Sequence, residues 1–115
     1  MKVAISATGN DLTASVDRRF GRCPWFLFVQ GESSSCEAVE NKSADNASGA
    51  GTACAQLVLE RDVDALISGQ VGPNAYEALT QGGIKIFIAP EGMSVKEALT
   101  KYKNGELKQM EMKVF

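Results

Sequence analysis

Histidine is absent from this 115-residue sequence. The absence removes the side chain that most often serves as a general base near neutral pH, and also the commonest neutral metal ligand. Hydrolases built on a Ser–His or Cys–His pair are therefore excluded. Any metal would have to be held by thiolate, carboxylate or backbone groups.

Long apolar runs are absent too. No segment approaches the roughly 20 apolar residues that a membrane-spanning helix needs. The first residues, MKVAIS, lead directly into a strand pattern without the apolar region of a secretory signal, so we expect a cytoplasmic protein. Thiols stay reduced there, and the 3 cysteines are an odd number, so we expect no structural disulfides.

Basic residues are in the minority. The sequence has 12 Lys and Arg against 14 Asp and Glu, a net charge of −2, which argues against a non-specific nucleic-acid partner. The apolar content of 44% is typical of a folded core, and the length predicts a single domain over residues 1–115. The final segment, ELKQMEMKVF, is a candidate flexible tail.

Apolar and turn patterns predict five strands and three helices. The predicted strands are KVAIS at 2–6, WFLFV at 25–29, CEAVEN at 36–41, DALIS at 64–68 and IKIFI at 84–88. The predicted helices are residues 50–61, residues 73–81, and a third helix that follows a capping box at Ser94 and Glu97. This β-β-β-α-β-α-β-α order favours one mixed sheet with helices on its faces.

Chain direction gathers candidate binding residues at one edge of that sheet. If the second strand is antiparallel to the first, its start shares an edge with the end of the first strand and the beginnings of two helices. Open α/β sheets bind ligands at such an edge. The candidates there are Arg19, Arg22, Cys23, Gly49, Gly51, Thr52, Cys54, Gln70 and Asn74. Cys36 falls at the opposite edge, and we interpret it as structural.

The groups expected at this edge suit a negatively charged ligand. Helix N-termini offer N–H groups and partial positive charge, and Arg19 and Arg22 add cationic side chains. A thiol in such surroundings has a lowered pKa, so Cys23 and Cys54 are candidate thiolate ligands for a metal. The site would suit a small anion, including a metal cluster with sulfur available for ligation.

Simpler interpretations stand beside these. Cys54 lies on an apolar helical face and serves equally as a small buried residue. Cys23 is equally a neutral residue at the start of a strand whose aromatics are buried, and the two arginines are equally solvated charges. Residues 49–51 resemble the start of a dinucleotide-binding loop, but Cys54 replaces its third glycine and the acidic residue on a following strand is missing, so dinucleotide binding is not expected.

Four segments together resemble a known family. They are the short N-terminal strand, F-G-R-x-P-x-F at 20–26, the glycine-containing loop at 49–52, and VDALISGQVGPNAYEAL at 63–79, which GIK follows at 83–85. The combination resembles the dinitrogenase iron–molybdenum cofactor biosynthesis family, the NifX-like domain also found at the C-terminus of NifB. Histidine often precedes the F-G pair in that family, whereas Arg19 stands there in this chain.

The resemblance implies a fold and a class of function. The implied fold is a ribonuclease-H-like three-layer α/β fold with a five-stranded mixed sheet, order 3-2-1-4-5, strand 2 antiparallel, and helices on both faces. The implied function is an accessory protein, not an enzyme, that binds or carries the iron–molybdenum cofactor or an iron–sulfur precursor. The implied partners are cluster-assembly or cluster-accepting proteins.

The same resemblance suggests roles for individual residues. If a cluster is ligated, Cys23 is the first candidate thiolate and Cys54 the second. Arg22 would then balance the negative charge of the cluster, and backbone N–H groups near Gly51 and Asn74 would donate hydrogen bonds to it.

Two other classes of function were weighed against a cluster carrier. One is a regulatory or scaffold module that binds a small anion or a protein partner and no metal. The other is a nuclease, which needs clustered carboxylates to hold divalent metals. The first strand has no acidic residue, and Asp64 stands at the far end of the fourth, so a nuclease is not expected.

Overall fold

The computed structural model describes residues 2–30, 36–42, 50–90 and 92–110. In chain order the elements are β1 (Lys2–Ala7), β2 (Trp25–Gln30), β3 (Cys36–Glu40), α1 (Ala50–Leu59), β4 (Ala65–Ser68), α2 (Pro73–Gln81), β5 (Lys85–Ile88), α3 (Val95–Lys103) and β6 (Lys108–Gln109). All eight predicted elements are present, with bounds within two residues of those expected. No helix in these ranges is long and apolar enough to cross a membrane.

The strands form one mixed sheet in the order β3-β2-β1-β4-β5-β6. Strand β1 pairs antiparallel with β2 and parallel with β4, and β4 pairs parallel with β5. The predicted order 3-2-1-4-5 and the antiparallel second strand are therefore confirmed. The predicted count of five strands is wrong, because β6 adds a sixth, antiparallel to β5.

Strand β6 lies in the segment that the sequence indicated as a flexible tail. It is held because the buried side chain of Leu107 packs into the core and the Met110 N–H donates to the Ile86 carbonyl at 2.7 Å. A strand of two residues is too short to show an alternating pattern, which is why the sequence did not reveal it. Residues 111–115 lie outside the described residues.

Helices cover both faces of the sheet, as expected. Because successive side chains of a strand point to opposite faces, each inner strand supplies apolar residues to two separate layers. The layer under α1 and α2 contains Ala4, Phe26, Phe28, Leu66 and Ile86. The layer under α3 contains Val3, Ile5, Leu27, Val29 and Ile67. The aromatic residues at the start of β2 were expected to be buried. Phe26 is buried, as expected, but Trp25 is only half-buried.

The predicted helix starts are confirmed. Pro73 occupies the first turn of α2, where its missing N–H costs no hydrogen bond. At the start of α3, the Ser94 hydroxyl oxygen accepts the Glu97 N–H at 3.1 Å. This bond satisfies one of the amides that a helix start otherwise leaves without a partner.

The loop between β1 and β2 folds back over the ends of β1 and β4. The Gly69 N–H donates to the Asp17 carbonyl at 3.3 Å, and the Phe20 N–H donates to the Gln70 carbonyl at 3.1 Å. A Cβ atom on residue 69 would overlap the Cα and Cβ atoms of Arg18. Glycine at position 69 is therefore what allows the loop to lie this close to β4.

Replacing Gly69 with alanine should destabilise the fold by roughly 1–3 kcal/mol, because the backbone of Arg18 must move away from the new methyl group. Urea unfolding of the variant measures this loss. Gly51→Ala is the matched control, since a Cβ there would contact the described residues only at the Ala75 Cβ atom, at an ordinary distance of 3.8 Å. We expect no loss of stability in that control, because alanine favours a helix more than glycine does. Equal losses in the two variants would contradict the close-approach argument.

Candidate functional site

A cleft of about 340 Å³ opens where the N-termini of α1 and α2 meet the loop that follows β1. Its lining consists of Arg19, Phe20, Gly21, Gly51, Thr52, Gln70, Gly72, Pro73, Asn74 and Ala75. Parallel pairing of β1 with β4 puts the carboxyl ends of both strands at this edge. The cleft therefore lies where ligands bind in open α/β sheets.

Backbone amides of two helix starts border this cleft. Both helices begin there, and the amides of a first helical turn have no acceptor within their own helix. Gly72, the N-cap of α2, has no side chain to accept from the amides of Asn74 and Ala75. Neither first turn contains an acidic residue. The partial positive charge of two helix ends consequently faces the cleft.

A buried polar chain positions Arg19 beside these helix ends. Ser6 Oγ lies 2.9 Å from the Asp17 carbonyl oxygen and 2.8 Å from Ser68 Oγ. The Asp17 carboxylate accepts the Arg19 N–H at 2.8 Å, and its Oδ1 lies 3.5 Å from Arg19 Nε. The Asp17 side chain is 7% exposed and that of Arg19 is 56% exposed. The buried carboxylate thus fixes the Arg19 backbone and leaves most of its guanidinium accessible.

The thiols of Cys23 and Cys54 lie behind the cleft wall and not on its surface. Cys23 is 0% exposed, and its thiol donates to the Phe20 carbonyl at 3.2 Å. Cys54 is 1% exposed, and its Sγ lies 3.4 Å from Asn41 Oδ1 and 3.8 Å from the Gly21 carbonyl oxygen. Both sulfur atoms therefore contact the polar backbone of the turn that forms the wall.

Asn41 holds this turn together. Its side-chain amide donates to the Cys23 carbonyl at 2.8 Å and to the Gly21 carbonyl at 3.3 Å, and its oxygen accepts from the Cys54 thiol. The Asn41 backbone N–H also donates to the Pro24 carbonyl at 2.9 Å. One buried side chain consequently links the end of β3, the turn before β2 and helix α1.

Burial keeps both thiols protonated. Loss of solvent raises the pKa of Cys23 to about 12, and the nearby Cys54 and Asp17 add to the increase. Loss of solvent also raises the pKa of Cys54, although the Asn41 hydrogen bond and the charge of Arg22 act in the opposite direction. The lowered thiol pKa expected from helix N-termini and arginines is therefore not found. Within the described residues, no three Cys, Asp or Glu side chains converge as a metal site.

The structure brings five of the nine candidate residues into the cleft: Arg19, Gly51, Thr52, Gln70 and Asn74. Arg22 lines a neighbouring groove, and Cys23 and Cys54 are buried behind the wall. Gly49 lies outside the described residues. Cys36 is exposed at the start of β3, beside Val29 and at the opposite edge of the sheet, as expected. These observations show where the candidate residues lie. Their roles in binding stay predictions.

Two residues that organise the site have no clear signal in the sequence. Asp17 and Asn41 are buried polar residues in segments that the sequence indicated only as a loop and a strand end. A polar residue directly after a strand is the one signal that pointed to Asn41. Nothing in the sequence pattern indicated that Phe20, with its ring 5.4 Å from that of Phe26, would line the cleft.

The sequence profile of the family described as dinitrogenase iron–molybdenum cofactor matches residues 1–105. The chain belongs to this family. The family resemblance that the F-G-R-x-P-x-F and V-G-P-N-A segments indicated is thereby confirmed, and the match spans all described elements up to the end of α3.

Two solved structures share the fold of this chain, and a further protein is similar to it in sequence. The apo form of the orange protein of Desulfovibrio gigas has a TM-score of 0.90 and 33% identity, over 95% of this chain and 92% of that chain. The NMR structure of a Thermotoga protein provisionally assigned as NifB has a TM-score of 0.81 and 38% identity, over 94% and 91%. An uncharacterized protein of Methanocaldococcus jannaschii is 32% identical over 114 residues, 96% of this chain and 92% of that protein.

The three cysteines of this family member should differ in reactivity. In the native protein at mildly alkaline pH we expect Cys36 to be alkylated rapidly, because its side chain is exposed, and Cys23 and Cys54 to react only on unfolding. Mass spectrometry after a timed iodoacetamide pulse measures the modification at each site. Fast labelling of Cys23 in the native protein would show that the turn opens readily.

The raised pKa of Cys23 makes stability depend on alkaline pH. The unfolded thiol loses its proton near 9.0 and the folded one near about 12, so the folded chain binds more protons in between. Stability is therefore full below the unfolded value and falls as pH rises from about 9 toward 12, by at most about 1.4 kcal/mol per pH unit for this group.

Urea unfolding from pH 8 upward checks this dependence, with Cys23→Ala as the comparison. The variant should be less stable at every pH because of its cavity, but its stability should fall less steeply with pH. Lysine and tyrosine titrations cancel in the difference between the two proteins. Identical slopes would show that Cys23 is not held as a buried neutral thiol.

Proposed function

We propose that this protein binds an anionic metal–sulfur cluster, the iron–molybdenum cofactor or an iron–sulfur precursor, in the cleft between the N-termini of α1 and α2. In this proposal the protein is a cytoplasmic carrier in cofactor assembly and not an enzyme. The observation that carries the proposal is the convergence of two helix N-termini and the exposed Arg19 guanidinium on one cleft, in a member of this family.

The size and charge of the cleft support a small inorganic anion. A volume of about 340 Å³ admits a compact cluster but is small for a dinucleotide. Sulfide and oxide atoms on a negatively charged cluster accept hydrogen bonds from backbone amides, and the guanidinium of Arg19 offers charge-assisted bonds. Such contacts are reversible, which suits a carrier that must release its cargo.

The state of the thiols decides how the cluster would be held. Cys23 and Cys54 are buried and protonated, so we propose that amides and Arg19 hold the cluster without a protein thiolate. Ligation by Cys23 stays a second possibility. It requires that the turn before β2, which Asn41 holds closed, opens and that the Cys23 thiol loses its proton. Arg22 lies close enough to Cys54 to lower the pKa of its thiol, and its positive charge would then balance the negative charge of the cluster.

A second function uses the same cleft without metal. A regulatory or scaffold module would bind a small oxyanion between the same amides, and the burial of both candidate ligand sulfurs favours this alternative. The two functions differ in which anion the cleft prefers. A cluster carrier should bind a metal–sulfur anion even in the presence of excess phosphate, whereas an oxyanion-binding module should not.

The ribonuclease-H-like assignment belongs to the proposal as well, supported by the mixed sheet with helices on both faces.

Placing a carboxylate at the N-cap of α2 should weaken binding without harming the fold. Gly72→Asp puts a negative charge at the cleft and caps the α2 amides, and it fits because a Cβ there meets nothing within 4 Å. Gly72→Asn caps the same amides without charge. Both variants should gain about 0.3 kcal/mol of stability. We expect affinity for tetrathiomolybdate, followed anaerobically by visible absorption and gel filtration, to fall roughly tenfold more in the Asp variant.

Cysteine variants distinguish binding by amides and Arg19 from ligation by the Cys23 thiolate. Cys23→Ser should still bind tetrathiomolybdate if amides hold the cluster, and should lose a synthetic iron–sulfur cluster with exchangeable thiol ligands if Cys23 ligates it. Cys36→Ser should retain both, since Cys36 lies at the opposite edge of the sheet. Equal binding by the Asp and Asn variants, or no co-elution of either chromophore with the wild type, would overturn the proposed cleft.

A further inference from the structure

A second concave surface lies next to the cleft and differs from it in chemistry. This groove, of about 600 Å³, is lined by Arg19, Arg22, Pro24, Trp25, Glu40, Asn41 and Lys42. It is formed by the turn before β2 and the end of β3, so it lies on the outer side of the cleft wall. The name basic groove is used for these seven residues.

The charge of the basic groove is opposite in sign to the net charge of the chain. Among the described residues that line the groove, three are cations, Arg19, Arg22 and Lys42, and one is a carboxylate, Glu40. Their summed charge is +2, in a chain of net charge −2. All three cationic residues are exposed. Asp17 is buried and its Oδ1 lies 3.5 Å from Arg19 Nε, whereas the Arg19 side chain stays 56% exposed, so Asp17 does not cover the guanidinium. Such a concentration of positive charge favours a negatively charged partner.

The groove also offers an apolar contact. Trp25 is the only tryptophan of the chain, and its half-buried side chain lies beside Pro24. Tryptophan and arginine are the residues that most often anchor protein–protein contacts, because they combine large contact area with directional hydrogen bonds. A surface with both therefore suits a peptide that carries carboxylates next to an apolar side chain.

We propose that the basic groove docks an acidic segment of a partner protein. Arg22 and Lys42 pair with its carboxylates, and Trp25 packs against an apolar side chain between them. The acidic character of the whole chain argues against nucleic acid as the occupant, since phosphate backbones would be repelled outside the groove.

The position of the groove links docking to the cleft. Arg19 lines both surfaces, and Asn41 lines the groove while its amide holds the Gly21 carbonyl of the cleft wall. A partner seated in the groove therefore touches the same arginine that faces the ligand of the cleft. The docking proposal itself does not depend on what that ligand is.

The single tryptophan makes docking directly measurable. Wild-type protein is titrated with a short synthetic peptide of Glu, Asp and Leu that lacks Trp and Tyr, and the emission of Trp25 is recorded. We expect a saturable change that weakens as salt increases. A peptide with Gln and Asn in place of the acids should produce no saturable change, because it keeps the length and apolar content but not the charge.

Charge reversal at the groove is the decisive comparison. Arg22→Glu and Lys42→Glu should each weaken peptide binding by roughly fivefold or more. Lys96→Glu, with the same change in net charge on exposed α3, should leave the affinity within about twofold. All three positions are exposed, and circular dichroism confirms that the variants remain folded. If all three variants bound the peptide equally weakly, the loss of affinity would follow from the change in net charge alone, and the proposal would be overturned.

Two further arms separate this surface from its alternatives. Tighter binding of an oligouridylate than of the acidic peptide, lost in Lys42→Glu, would overturn the proposal in favour of nucleic acid. Gly72→Asn, which caps the cleft amides without adding charge near Arg19, should leave peptide binding unchanged, because residue 72 lines the cleft and not the groove. Failure of cluster binding with intact peptide binding, or the reverse, would therefore identify which of the two proposals is wrong.

Discussion

The close approach of the β1–β2 loop to Gly69 is the constraint on which both surfaces depend. Without a side chain at Gly69, the backbone of Arg18 can rest against the end of β4. That contact holds Asp17 over Ser6 and Ser68, and it directs Arg19 and Phe20 toward the helix N-termini. A loop held further away would leave the first turns of α1 and α2 facing open solvent. The cleft and the basic groove would then lose their common wall.

Burial of the two thiols determines the chemistry of that wall. The segment RFGRCPWF contains a cysteine between cations, a composition typical of a reactive thiolate. In the folded chain, however, Cys23 points inward, where desolvation and the nearby Cys54 and Asp17 side chains raise its pKa. Asn41 satisfies the carbonyl groups that the turn would otherwise bury without partners. The wall thereby presents backbone and guanidinium to the ligand and keeps sulfur behind it.

The two neighbouring surfaces differ in the kind of partner that each suits. The cleft offers amides and a cation to a small anion, and the groove offers separated cations and an indole to a longer acidic chain. Sharing of Arg19 means that occupancy of one surface changes the electrostatic environment of the other. A basic groove on a chain of net negative charge would also orient an acidic partner before contact. The electrostatic field of the groove attracts that partner, and the field of the other surfaces repels it.

The sequence alone determined the order of the elements and the family. Strand runs such as WFLFV, the proline at position 73 and the Ser94 cap are local signals, because hydrophobic periodicity and capping depend on residues a few positions apart. Strand direction then followed from the order of the elements, which is why Arg19, Gly51 and Asn74 could be placed at one edge. The tertiary structure decided what depends on packing between distant segments. Those outcomes are the sixth strand on β5, the roles of Asp17 and Asn41, and the inward orientation of Cys23 and Cys54, since burial and the pKa values that follow from it are set by neighbours far apart in the chain.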